Sequence, residues 1–498
     1  YEISECLVGS EMCIRDRQVI ERDAGILLSS LDPAELLERL GRCPVETLKR
    51  HPFAILVLMR CMFNWRQIPK MMELKQLLLT TVAEHPEWSQ EEKGSLLGEC
   101  DLILSFLMYN DISAMSRLHR SASAQMSHPA ISIQNSGGWT FGSPSVLMMF
   151  HRQPGQLDRE LAEMDECMPH YYRITQGHGQ GAELLMNAEA AFMQGNFSDA
   201  QILLEQTYST IASNGQHNIS LCCDFLAARL SLFQESVTFV KNPEVKRKEL
   251  LSLHNMMWLN IFDSTYAYYY ALIRMPEKIP ALFKDHMLST VSFLSPCRPM
   301  MEMIENQVFL SQKMYAKVIG RSETLLPVCE KMHYELVSLH VQIQTAAAYA
   351  MLGKHHDARQ LLLKALGHAM PDGFLIPFVE NYTYIKDVLS SINSIASELF
   401  TDRILSLGSV YEQHCLRLSS RNSRPEILNM LNSREAEIAT LITDRLSNRE
   451  IAERLFLSEG TVKQYVNQIY SKLMINGDTR TKRKQLAELI SSINKGLT

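Results

Sequence analysis

The 498-residue chain carries 49 Lys and Arg against 55 Asp and Glu, for a net charge of −6, and 46% of its residues are hydrophobic. That balance suits a globular protein of two to four domains, and the longest apolar run, "FAILVLM" at Phe53–Met59, falls well short of the roughly eighteen residues a membrane helix needs. Eleven scattered cysteines, with no CxxC pair and with Cys222 and Cys223 adjacent, do not suit a disulfide framework and suit thiols packed as small hydrophobes in a reducing, cytoplasmic setting.

In chain order, Tyr1–Arg17 contains "SEMCIRDR", which resembles the translated end of a sequencing-library transposon; as such an artefact, or else as a disordered terminus, it is set apart from the fold. On the artefact reading the chain is expected to begin mid-protein. From residue 18 to 126 the pattern is helical. In "DPAELLERL", Asp32 suits an N-cap and Pro33 the first helical position, and "PVETLKRHPFAILVLMRCMF" repeats apolar residues at helical spacing. The glycines and proline of 127–145 predict a long loop.

Helices resume at Val146 and are expected to run to about residue 418. Within them, "AELLMNAEAAFMQGNFSDAQILLEQTY" and "VQIQTAAAYAMLGKHHDARQLLLKAL" share a pattern. Aligning Ala200 with Ala358 puts Ala188 on Ala346, Ala191 on Tyr349, Gly195 on Gly353 and Leu204 on Leu362. Small residues stand where antiparallel helices must approach, and glycine stands where a turn needs positive φ. The pattern resembles the tetratricopeptide repeat, whose helix pairs bury their faces only by stacking into a superhelix. Asn306–Met332 suggests a degenerate third unit. The tyrosine-rich "FDSTYAYYY" (Phe262–Tyr270) is expected to pack in the repeat core. The Ser, Asn, Arg and Pro of 419–430 predict a linker.

The charge balance then reverses. From Arg424 onward there are twelve Lys and Arg against nine Asp and Glu, a basic module on an acidic body. Asn432 or Ser433, Ser447 and Ser458 can each cap a short helix, and only Leu455, Phe456 and Leu457 separate the second from the third. So short a turn forces a helix-turn-helix crossing. Val462, Val466, Ile469 and Leu473 form the third helix's apolar stripe, expected to pack on Ile451, Ala452, Leu455 and Leu457. The opposite face presents Thr461, Lys463, Gln464, Asn467, Ser471 and Lys472, with no carboxylate after Glu459. Hydrogen-bonding groups without acids suit the base edges and phosphates of a DNA major groove.

The stretch "LNSREAEIATLITDRLSNREIAERLFLSEGTVKQYVNQIYSKL" resembles the LuxR-type DNA-binding domain, with Leu431–Glu435 as its opening motif and Leu446–Lys463 as its central one. The resemblance implies four helices over residues 431–498, the third in the major groove and the fourth, around Thr481–Ile490, at a dimer contact. It carries base contacts to Lys463, Gln464 and Asn467, and phosphate contacts to Asn448, Ser458, Thr461 and Lys472. The sequence departs from the family at Asp444, where glycine is usual, and at Tyr465, where histidine is frequent. The long, basic link Met474–Gln485 also departs and suggests further phosphate contacts from Arg480, Lys482 and Arg483.

The whole arrangement, an all-α repeat region with this small domain after it, resembles the large MalT-like regulators of the signal-transducing ATPase class. That resemblance implies a transcription regulator, most often an activator, whose repeats sense an inducer or partner protein and which self-associates on duplex DNA. The chain carries no GxxxxGK[ST], so an ATPase module is expected upstream and no cofactor within this stretch. There is no GxSxG, and neither His170 with His178 nor His355 with His356 has metal-ligand partners at the right spacing, so no enzyme is expected here. The competing expectation is a repeat scaffold whose terminal domain serves docking or dimerisation.

Overall fold

The computed structural model describes Glu38 and residues 44–495, apart from 134–137, 213–214, 235–238, 240–242, 254, 292, 393–397, 423–430, 445, 474 and 476. Tyr1–Arg17 and the helix start at Asp32 and Pro33 lie outside the described residues. Among those described, every regular element is helical. They form two compact units divided between Glu412 and Gln413.

The principal helices of the first unit are α1 Pro52–Asn64, α2 Ile68–Glu84, α3 Gln90–Ser105, α4 Ile112–Gln125, α5 Val146–Phe150, α6 Leu157–Thr175, α7 Ala182–Met193, α8 Phe197–Ile211 and α9 His217–Leu230. They continue with α10 Met256–Leu272, α11 Arg298–Ser311, α12 Tyr315–Met332, α13 Glu335–Met351, α14 His355–Ala369 and α15 Ile376–Glu380. Neighbours in sequence pack on one another from α7 through α14. Ala188, Ala200, Ala346 and Ala358 are fully buried at the α7–α8 and α13–α14 crossings, where a longer side chain would hold the helices apart.

The turns share one hydrogen-bond pattern. After α7, the Asn196 N–H donates to the Ala191 carbonyl (2.8 Å) and the Gly195 N–H to Phe192 (2.9 Å), with Gly195 at φ 79°. After α13, Lys354 donates to Tyr349 (2.9 Å) and Gly353 to Ala350 (3.0 Å). The same six-to-one and five-to-two bonds close α1, α10 and α11, where the left-handed residue is Arg66, Arg274 or Lys313, at φ 59°, 58° and 60°. This is the Schellman closure, which satisfies the last carbonyls of a helix while turning the chain back.

The described residues of the connection between α4 and α5 are largely buried and held by side chains. Ile131 and Ser132 donate their N–H groups to the buried carboxylate of Glu99 (3.1 and 2.6 Å), and Arg60 donates to the Ser132 carbonyl. The N–H groups of Trp139 and Thr140 donate to Asn218 Oδ1 (2.7 and 2.8 Å). A buried loop must satisfy its backbone in this way.

The stack also folds back on itself. The Leu375 N–H donates to the Met193 carbonyl (2.8 Å), and Asp372 accepts from the N–H groups of Gly155 and Leu157 (2.6 and 3.1 Å). At the centre, Arg229 of α9 grips Glu380 of α15 through two bonds of 2.8 and 3.1 Å. Phe192, Phe225 and Tyr268 surround the guanidinium at 5.0, 5.5 and 5.6 Å to their ring centroids. Tyr268, from the tyrosine-rich run, is fully buried and donates its hydroxyl to Glu380 (2.8 Å). The run thus contributes to the core.

The helix Glu398–Asn422 continues past Ser419 into the stretch expected as a linker, and 423–430 lies outside the described residues. Glu380→Leu should lower the first unit's stability by about 3–5 kcal/mol, because it strands a buried guanidinium. Adding Arg229→Met should recover part of that loss, as urea unfolding of the single and double variants will show.

Candidate nucleic-acid interface

Among the described residues from Leu431 onward there are four helices: α16 Ser433–Thr443, α17 Asn448–Leu455, α18 Glu459–Lys472 and α19 Thr479–Lys495. Each of the first three is capped by the side chain before it. Asn432 Oδ1 accepts the Glu435 N–H (2.8 Å), Ser447 Oγ that of Glu450 (3.3 Å), and Ser458 Oγ that of Thr461 (3.0 Å). Glu435 and Glu450 bond back to the capping residues' own N–H groups (2.7 and 2.6 Å), completing capping boxes. The Ser447 N–H and hydroxyl hold the Glu450 carboxyl below its usual range.

Between α17 and α18 the chain turns at Phe456, in the left-handed region at φ 54°, while the Leu457 N–H reaches back to the Ala452 carbonyl (2.9 Å). Phe456 is 96% exposed. Val462, Val466, Ile469 and Leu473 are all buried, in one core with Ile438, Ile442, Ile451, Ala452, Leu455 and Leu486. Tyr465 packs against that core from its edge. Asp444 ends α16 at φ −72° and ψ 8°.

The inward stripe leaves Lys463, Gln464 and Asn467 exposed together, with Ser471 further along. Ser458 is exposed and Thr461 half-buried, their hydroxyls 2.8 Å apart at the start of α18. The other basic and amide residues differ in setting. Lys472 Nζ lies 2.7 Å from Glu435 Oε2, so its ammonium is engaged within the domain. Asn448 Oδ1 accepts from Arg483 Nη1 (2.9 Å), and Arg483 Nη2 also donates to the Leu446 carbonyl. Lys482 lies over the Tyr470 ring, 5.8 Å from its centroid. The Arg480 side chain lies outside the described residues.

Sequence reading missed the role of Arg434, which donates to the Leu455 carbonyl (2.7 Å) and so satisfies the end of α17. It also placed the start of α19 late. Asp478 Oδ1 accepts the Thr481 N–H (2.8 Å), and the helix begins at Thr479. Asp478 is a residue type favoured at such a cap, although it stands inside a basic run.

Residues 429–483 match the family described as bacterial regulatory proteins, luxR family. The C-terminal domain is of the LuxR type. The chain is 45% identical over 53 residues to the transcriptional regulatory protein DegU of Brevibacillus brevis, covering 11% of this chain and 22% of that protein. It is 42% identical over 57 residues to LnrK of Bacillus subtilis strain 168, covering 11% and 26%. It is 28% identical over 101 residues to the HTH-type transcriptional regulator AlkS of Alcanivorax borkumensis, covering 20% and 12%. The chain therefore spans about a quarter or less of the length of these curated relatives.

Elsewhere among the described residues, Ser105, His119 and Cys167 come closest to a nucleophile with its base, with contacts of 2.9 and 3.2 Å around the imidazole. Burial drives this trio away from catalysis, pushing the thiol up to about 11 and the imidazole down to about 3. No group of three His, Cys, Asp or Glu among the described residues could hold a metal ion. No described helix is long and apolar enough to cross a membrane.

Two outcomes are expected of this LuxR-type domain. Ile469→Ala should cost about 2–5 kcal/mol and speed amide exchange across 459–473 in the full chain. Burial works to raise the Glu435 pKa, but the Lys472 ammonium and the Asn432 N–H outweigh it and leave the carboxyl below 4.5. Its contribution to stability is therefore present above about pH 4.5 and is lost as pH falls through the depressed value. Exchange in 432–443, corrected for its intrinsic pH dependence, should rise over that acid window.

Proposed function

We propose that the protein is a cytoplasmic, sequence-specific regulator of transcription that binds duplex DNA through α18. The observation that carries this reading is the exposed face of Lys463, Gln464 and Asn467, fixed outward by the buried stripe on the same helix. Their chemistry matches major-groove readout: lysine can bond the acceptors of guanine, and asparagine and glutamine can pair with the donor and acceptor of adenine. Ser458 and Thr461, with the N–H groups at the start of α18, would meet a phosphate at the positive end of the helix dipole. Lys482 and Arg480 would add phosphate contacts on this reading. The names of the matched relatives, all regulators, support the same function.

The helical unit is the receiving part on this reading. It would bind an inducer or a partner protein and bias self-association on DNA toward activation, in the manner of MalT-like regulators, with an ATPase module further upstream. One small domain binds DNA weakly, and repeated attachment of several copies multiplies its effect.

The full chain should bind a duplex selected from a randomised pool. A log–log plot of affinity against salt should slope by about −0.9 for each phosphate neutralised. Lys463→Ala should relax preference at one base position by about 1–3 kcal/mol, read by repeating the selection with the variant. A chain that selects no sequence and ignores duplex DNA at low salt would end this reading.

A further inference from the structure

We propose that Lys472 is a positioning residue for DNA recognition and not a phosphate contact: it locks the far end of α18 to the start of α16 through Glu435. This rests on the DNA-binding reading above.

The geometry is specific. Glu435 Oε2 receives both the Lys472 ammonium (2.7 Å) and the Asn432 N–H (2.7 Å), while the Glu435 N–H is capped by Asn432 Oδ1 (2.8 Å). One carboxylate oxygen thus joins the capping box of the first helix to the last residue of the third. Glu435 is 1% exposed, and the Lys472 side chain is 41% exposed. A carboxylate that deeply placed needs its cation, because removing one partner leaves an uncompensated charge out of water. A DNA phosphate that captured Lys472 would do just that. Binding to the backbone through this lysine would come at the expense of the domain's own packing.

The lock also has leverage. Lys463 and Lys472 stand nine residues apart on one helix, about 14 Å at 1.5 Å per residue. The near end of α18 is already held by the Ser458 cap and the turn at Phe456. Holding the far end removes the remaining freedom to tilt, and base-edge hydrogen bonds tolerate only a few tenths of an ångström of displacement.

The test uses the full chain and the duplex that the wild-type protein selects from a randomised pool. The variants are Lys472→Met, Lys472→Arg, Glu435→Gln and the Lys472→Met/Glu435→Gln double. Glutamine keeps the capping bond while removing the charge. Lys472→Met and Glu435→Gln should each weaken binding on the order of tenfold. The double variant should be no worse than either, Lys472→Arg should restore binding, and the salt slope should stay at the wild-type value. Losing an acid favours DNA on Coulomb grounds, so weaker binding by Glu435→Gln would have to come through the lock. The proposal is overturned if Lys472→Met flattens the slope by about 0.9 while Glu435→Gln binds as well as wild type or better. Amide exchange over 459–473 judges the lock without DNA. It should quicken in Lys472→Met and Glu435→Gln and return to normal in Lys472→Arg, and unchanged exchange overturns the proposal. Failure of the wild-type chain to select any duplex counts against the DNA-binding reading, and exchange still decides the lock.

Discussion

The burial of Val462, Val466, Ile469 and Leu473 against Ile451, Ala452 and Leu455 sets the rotation of α18 about its own axis. A helix with one apolar stripe has one way to lie on a core, and its opposite face is then determined. Turned by a quarter, the same helix would bury Lys463 or Asn467 without partners, at a cost exceeding the gain from any one buried aliphatic side chain. Ala452 lets the crossing close, and the left-handed residue at Phe456 makes the turn short enough to hold it there. The outward polar face is therefore a product of packing, and whatever it recognises is presented by a rigid element.

The two units meet the same requirements with different means. In the second, charged and amide side chains close the helix ends: Arg434 on the Leu455 carbonyl, Arg483 on Leu446 and Asn448, and Lys472 on Glu435. In the first, backbone turns of one kind recur from α1 to α13, and small residues at the crossings allow close approach. That unit also places ionised groups at its centre, where Arg229 and Glu380 are tolerable only because the guanidinium is matched bond for bond and enclosed by aromatic faces.

How much of this was legible depended on whether the signal was local. Gly195 and Gly353 announced two helix pairs because glycine is the residue expected at positive φ. Arg66, Arg274 and Lys313 occupy the same conformation at the same point of other turns, and no residue-type rule points to them. Ser447 and Ser458 were readable as caps because capping acts within three residues. The apolar stripe of α18 was readable from its period, and with it the exposure of Lys463, Gln464 and Asn467. The ion pair of Lys472 with Glu435 spans 37 positions, and no periodicity encodes it. A lysine at a helix end looks the same in sequence whether it faces a phosphate or a carboxylate. The glycines and proline of the loop after α4 signal irregular backbone, but its burial depends on Glu99 and Asn218, each far away in sequence, and no local pattern points to them.

The bond from Arg229 to Glu380 has a consequence for how the chain reaches its native state. Stacked helix pairs that touch only their neighbours fold like beads in a row, starting anywhere and spreading. Here a contact across 151 positions fastens the middle of the array to its end. Forming it requires closing a long loop, whose entropy is lost before the contact gives anything back. The array therefore gives up piecemeal assembly, and its later helices become as necessary to the earlier ones as their immediate neighbours are. Unfolding should be all-or-none across the unit, and a disturbance at α15 would be felt at α9 without passing through the helices between them.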